Sequence, residues 1–375
     1  MIKKQRLIKI IRKLISIDSQ NPPGNEAKIG DYVHNFLLKL GLKSRIYAFR
    51  PGRPNVVGVL KGRSSKHKLL LTPHLDTVPA GKNWKLPVFK GLIRKDRIYG
   101  LGATDCKGNL AAMLEALNSV TERGLVFDYD IVVAATSDEE SGSGLGLIPL
   151  IERKILDVDA ALVLDADDFE VVVTQKGLMH LKVRIRGKKA HGAYPWLGKN
   201  AIDAAVRVLT ELKAQKARYL PNKYLHGPTL NIGTIQGGDK VNVVADWCEF
   251  ELDFRFLPGT SEKALLRNLK NTLAKYSKDF SIEVQGIQAP YQIEEKHSLV
   301  SSLAAAMRKM NIKPRISGSE GATVITFFQK QNIPAIATGF GKEGCAHIAD
   351  EYALLGSLYK GAQVLEEFLK NYKFN

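Results

Sequence analysis

The sequence predicts an α/β protein in two parts: a mixed sheet with helices on both faces, interrupted by a smaller α+β domain. Two observations predict it. Short apolar runs alternate with helical patterns at both ends of the chain, and the middle follows the order β-α-β-β-α-β. The length of 375 residues is too great for one ordinary domain and suits two.

Taken in order, Leu7, Ile10, Ile11, Leu14 and Ile15 recur at helical spacing and predict an amphipathic first helix. The segment is basic and apolar, like a targeting signal, but Lys9, Arg12 and Lys13 interrupt its apolar run and no cleavage site follows. Val56–Leu60, Lys68–Thr72, Asp130–Thr136, Ala160–Leu164 and Pro334–Thr338 are short apolar runs that read as buried strands. Lys107–Glu122 and Tyr352–Leu369 read as helices. In the middle, Gly177–Gly187, Thr229–Gly233, Cys248–Phe256 and Phe280–Val284 read as strands, and Asn200–Lys216 and Ser261–Lys278 as helices. That is the split βαβ of a ferredoxin-like domain, inserted at 178–286. Residues 1–177 and 287–375 form the larger, discontinuous domain.

Composition narrows the function. Apolar residues at 45% and charged residues at 25% allow a core that needs no disulfide. Three cysteines, Cys106, Cys248 and Cys345, make no disulfide framework and suit the reducing cytoplasm. The net charge of +17 is spread along the chain. Its densest stretch, Lys182, Arg184, Arg186, Lys188 and Lys189, alternates with Val183 and Ile185, as a solvated strand face does. No aromatic interleaving accompanies it, which argues against nucleic acid as a partner. No run is long enough to span a bilayer, and no membrane partner is expected.

Five segments carry ionisable residues after a predicted strand or in a glycine-bearing loop, where ligands collect in open α/β sheets. They are Thr72-Pro-His74-Leu-Asp76, Gly100-Leu-Gly-Ala-Thr-Asp105, Ser137-Asp-Glu139-Glu140, Leu164-Asp165-Ala-Asp-Asp168 and Cys345-Ala-His347. Each has a plainer reading. Asp105 could cap a helix, and the acidic runs could be exposed turns. Asp350 and Glu351 read as caps of the last helix. Three consecutive acids at the end of a buried strand repel one another, and a cation among them would resolve it. Together His74, Asp105, Glu140, Asp165 and His347 supply two imidazoles and three carboxylates, a set that suits two zinc ions, with cobalt as a substitute. A metal-bound imidazole usually donates its second N–H to a carboxylate, and Asp76 stands two residues from His74.

The segments around His74, Asp105 and Glu139-Glu140 resemble those of the M20 metallopeptidase family, and the likeness runs over nearly the whole chain. It implies a zinc-exopeptidase-like catalytic domain with an inserted ferredoxin-like lid and dimerisation domain, a homodimer formed through the lid, and a small-molecule substrate. It implies that His74 and Asp165 hold one zinc, Glu140 and His347 the other, and Asp105 bridges both. Asp76 would orient His74, and Glu139 would be the general base. Gly187-Lys-Lys-Ala-His191-Gly-Ala-Tyr-Pro195 resembles the segment with the family's lid histidine, which helps stabilise the oxyanion. Asn231, Asn242, Arg255 and the Gly318–Ala322 loop, with Gly318 and Ser319, fall where the family binds the substrate carboxylate. Asp165 is Glu in many deacylases of the family and Asp in several peptidases. The implied activity is cleavage of an N-acyl amino acid, as by acetylornithine deacetylase or succinyl-diaminopimelate desuccinylase. A di/tripeptidase or carboxypeptidase is the alternative. A non-catalytic, metal-dependent binding protein is the reading from another class.

Overall fold

The computed structural model describes residues 1–215 and 219–374; the end of the predicted helix at Lys216 lies outside them. The chain forms two compact units. The first comprises Met1–Val173, Ile293–Ser317 and Phe327–Asn375, and the second Thr174–Gln292 and Gly318–Thr326. The loop with Gly318 and Ser319, which the sequence leaves with residues 287–375, groups with the second unit. There Gln175 accepts from Thr323 N at 3.1 Å, and Ser319 O accepts from Lys176 N at 3.1 Å.

Among the described residues the large sheet has nine strands, seven of them in the order Lys43–Ala48, Pro54–Leu60, Asp130–Ala135, Lys68–Thr72, Ala160–Leu164, Ala335–Thr338 and Glu170–Gln175, with Tyr291–Gln292 and Arg315–Ser319 paired to the last. The four from Asp130–Ala135 to Ala335–Thr338 are parallel, and the flanking pairings are antiparallel. Asp130–Ala135, Ala160–Leu164 and Ala335–Thr338 are buried at every residue, so both sheet faces are covered, as their unbroken apolar sequences require. Helix Lys107–Glu122 is buried along almost its whole length and packs between the first helix, Lys4–Ile15, and the last, Leu355–Asn371. Each fully buried leucine there, such as Leu110, Leu114 and Leu117, contributes about 1.5–3 kcal/mol of apolar burial. Among the described residues no helix is long and apolar enough to cross a membrane.

The second unit has a four-stranded antiparallel sheet in the order Thr229–Gly237, Trp247–Phe256, Gly177–Arg186, Phe280–Gln288. With helices Ala201–Ala214 and Glu262–Tyr276 this is the ferredoxin-like arrangement. Strict alternation places Met179, Leu181, Val183 and Ile185 in the core with Val208, Phe250 and Leu273. The opposite face carries the basic residues, each near an acid: Lys182 is 2.9 Å from Glu249, Arg184 3.8 Å from Glu249, and Arg186 3.0 Å from Asp279. Asn200 and Ser261 cap the two helices with their side chains.

Candidate metal centre

The parallel register aligns the ends of three strands. Thr72 pairs with Val163, so His74 and Asp165 each stand two residues past a matched position. His74 bridges to Thr136, which brings Glu139 and Glu140 alongside. Strand Ala335–Thr338 lies next to Ala160–Leu164 and feeds the loop that carries His347. Asp105 enters from the loop before helix Lys107–Glu122, and its peptide bond to Cys106 is cis.

These side chains meet. His74 Nε2 lies 2.9 Å from Asp105 Oδ1 and 3.7 Å from Asp165 Oδ1. His347 Nε2 lies 3.0 Å from Asp105 Oδ2 and 3.3 Å from Glu140 Oε2. Asp105 therefore faces both imidazoles, one with each oxygen. Ligand atoms of His74, Glu139 and Asp165 form one cluster within 4.8 Å, and those of Asp105, Glu140 and His347 another.

Asp76 meets His74 differently from the sequence expectation. Nδ1 of His74 is 2.9 Å from the backbone carbonyl of Asp76 and 3.7 Å from its carboxylate. That carboxylate is already engaged: it accepts from Asn21 Nδ2 at 2.9 Å, Glu139 N at 3.1 Å and Glu140 N at 3.2 Å. Asp76 thus fixes the backbone of the Glu139–Glu140 turn as well as the His74 ring.

The three consecutive acids do not share one fate. Asp138 takes a left-handed conformation, turns away and pairs with Arg53 at 2.9 Å. Arg53 also pairs with the fully buried Glu26 at 2.7 Å. Only Glu139 and Glu140 remain with the cluster, so Arg53 already resolves part of the expected repulsion. Asp168 likewise leaves it, pairing with Lys342 at 2.7 Å.

Several supporting groups carry no local signature and escape a reading by motif. Cys106 accepts from His74 N at 3.2 Å, and burial pushes its thiol up to about 12, so the sulfur braces the His74 backbone as a neutral thiol. Lys107 Nζ donates to Ile17 O at 2.8 Å. Asp350 accepts from Lys85 N and Leu86 N, and Glu351 from the loop that carries Asp105. Neither caps the last helix, whose first N–H groups are taken by Asp96: its carboxylate accepts from Gly356 N at 3.1 Å and its backbone carbonyl from Leu355 N at 2.7 Å.

The electrostatics suit a cation. Burial, and then the charge of Asp165, hold the Glu139 carboxyl well above the usual carboxylate range. Burial opposes the charge on Asp105, but hydrogen bonds from His347 and His74 outweigh it and hold this carboxyl well below that range. Hydrogen bonds to Asp105 and Glu140 raise His347 to about 10. The imidazoles are here partial counter-ions for a surplus of carboxylates. Nitrogen and oxygen donors in two adjoining clusters, with acids in excess, fit two divalent ions.

The remaining candidates lie on the second unit. His191 is exposed, and its Nδ1 accepts from Ala193 N at 3.1 Å, which leaves Nε2 to carry the proton. Arg255 forks onto Asp253, with Nε–Oδ1 at 2.8 Å and Nη2–Oδ2 at 3.1 Å. Asn231 and Asn242 are exposed. Ser319 Oγ closes its own loop onto Gly321 O at 3.0 Å. Gly318 is packed so closely that a Cβ would meet Leu225 at 2.7 Å and Tyr224 O at 2.9 Å.

Sheet and side-chain cluster together make a candidate centre for divalent metal, and comparison with known proteins supplies the family. The model of peptidase family M20/M25/M40 matches residues 70–371, and the chain belongs to that family, whose deacylases and peptidases cleave C–N bonds. A succinyl-diaminopimelate desuccinylase of Orientia tsutsugamushi (strain Boryong) is 27% identical, covering 96% of this chain and 94% of its own. An acetylornithine deacetylase of Vibrio atlanticus (strain LGP32) is 28% identical, covering 96% of each chain. In fold, the chain resembles the aminopeptidase PepT from Bacillus cereus ATCC 10987, with a TM-score of 0.82, 22% identity and 98% of each chain covered.

Proposed function

We propose that this chain is a cytoplasmic two-zinc amidohydrolase that removes the acyl group from an N-acyl amino acid bearing a free carboxylate. The observation that carries it is the convergence of His74, Asp105, Glu140, Asp165 and His347, from five separate segments, with Asp105 between the two imidazoles. His74 and Asp165 would hold one ion, Glu140 and His347 the other, and Asp105 both; cobalt would substitute for zinc. Bound there, the ions would polarise the scissile carbonyl and acidify water.

The protein's own groups do the rest. Glu139 takes the proton of the attacking water and returns it to the departing amine. Asp76 holds the Glu139 backbone at 3.1 Å and so fixes where this base stands. For His191 we propose the oxyanion-stabilising role of the family's lid histidine, which often comes from the partner subunit of a dimer. Arg255, steadied by Asp253, would offer its remaining N–H groups to the substrate carboxylate, a role we propose also for Asn231, Asn242, Gly318 and Ser319. Three free cysteines support the cytoplasmic assignment. The second unit would also form a homodimer: strand Thr229–Gly237 stands at its sheet edge, largely exposed, and among the described residues no strand pairs with its outer side.

The test is turnover of a panel of N-acetyl and N-succinyl amino acids and of di- and tripeptides by the zinc-loaded protein, with metal content measured in parallel. Acyl release from one class supports the proposal. Peptide cleavage alone supports the second reading, a di/tripeptidase, which the Asp at position 165 favours. Metal binding with no turnover of any member would leave a binding protein.

A further inference from the structure

We infer that Glu351 is a positioning residue that sets the separation of Asp105 and His347; the inference rests on the metallohydrolase reading above. Its carboxylate, in a residue only 2% exposed, accepts from Gly102 N at 2.8 Å, Thr104 N at 2.8 Å and Asp105 N at 3.0 Å. Its backbone carbonyl accepts from Gly100 N at 3.0 Å. The next residue extends the seam, since Tyr352 O accepts from Thr104 Oγ1 at 2.8 Å. One acid therefore gathers three of the four amides from Gly102 to Asp105 in the loop that presents Asp105. It does so from a segment that carries His347 four residues earlier, whose Nε2 lies 3.0 Å from Asp105 Oδ2.

The chemistry of position 351 makes this specific. A carboxylate has two oxygens and no donor, so it can serve three N–H groups at once. An amide has one oxygen and an NH2 that must point at a donor, which leaves at least one buried N–H without a partner. Glu351→Gln should let the loop relax and shift Asp105 relative to His347 with every proposed ligand still present. Groups that orient metal ligands from outside the coordination sphere alter metal affinity by about 10–100-fold when replaced.

The experiment titrates cobalt(II) into metal-free protein and follows the visible d–d absorption, which reports ligand geometry. Glu366→Gln is the control for stability alone. Glu366 is buried in the last helix, where it accepts from Ser119 and Arg123 away from the cluster. The expected result is a Glu351→Gln cobalt Kd at least 10-fold weaker than wild type, with an altered spectrum, while Glu366→Gln matches wild type in both at a similar loss of Tm. If Glu351→Gln does not fold, Glu351→Asp keeps the charge with the carboxylate drawn back by one methylene, and a several-fold weaker Kd is expected. A folded position-351 variant with wild-type Kd and spectrum overturns the inference. Wild-type protein that takes up no cobalt overturns the metallohydrolase reading itself, and this inference with it.

Discussion

The charged groups of the two units are arranged in opposite ways. In the first unit Glu139, Asp165, Asp105 and Glu140 face one another, with two imidazoles as partial counter-ions. In the second unit Arg255 meets Asp253, Lys182 meets Glu249, and Lys176 meets Glu320 at 2.5 Å. One region concentrates like charge; in the other these basic residues each stand beside an acid. A candidate metal site is legible as unresolved repulsion, whereas the proposed substrate-recognition residues look like ordinary surface pairing.

The largest expected effect breaks the chemistry without breaking the cluster. Glu139→Gln should lower kcat by about 10²–10⁴-fold while bound metal stays at the wild-type level, measured by amine release and elemental analysis. A variant with full activity would remove Glu139 from the mechanism. Next in size is a contrast between two arginines. Arg53 is buried between Glu26 and Asp138, so Arg53→Met should cost about 3–5 kcal/mol in urea unfolding by leaving two buried acids unpaired. Arg255 is partly exposed beside one acid, and Arg255→Met should cost no more than about 1 kcal/mol. Equal costs would mean that the two units do not differ as described.

Chelation sharpens the same contrast. Metal held at 100 times its Kd stabilises by about 2.7 kcal/mol, so removing it should lower Tm. Faster hydrogen exchange should be confined to segments around 72–77, 102–106 and 137–141, with the second unit's sheet unchanged. Loss of protection spread evenly over both units would count against a local metal centre. The smallest effect belongs to Cys106→Ala. Its sulfur hydrogen-bonds to His74 N, so the variant should lose about 1 kcal/mol of stability yet keep its full metal content. Loss of an ion would make the thiol a ligand.

Much of this architecture could be read from the residues. Helix Lys107–Glu122 and strands Lys68–Thr72 and Ala160–Leu164 have the bounds their apolar patterns suggest, because buried elements leave a continuous apolar record. Strand Lys43–Ala48 has no such record: it is an edge strand with no fully buried residue, and only its pairing with Pro54–Leu60 defines it. Glu170–Gln175 is rich in valine, yet the acidic turn before it, with positive φ at Asp168 and Phe169, disguises where the strand begins. At the centre, groups that project side chains into the cluster lay beside recognisable strand ends. Glu351, Arg53, Asn21 and Asp138 act through backbone amides or partners far away in sequence, and no spacing rule encodes that. Asp138 shows the limit well: the run of acids signals mutual repulsion, but only the fold shows that an arginine removes one of them.

The amide of Asp105 is held by an acid 246 residues further along. During synthesis, therefore, the parallel strands and the whole inserted unit leave the ribosome before this loop can close. The contacts that present Asp105 form only after nearly the whole chain has been made. Truncation just before Glu351 should yield a polypeptide that retains most of its sheet sequence yet does not respond to metal.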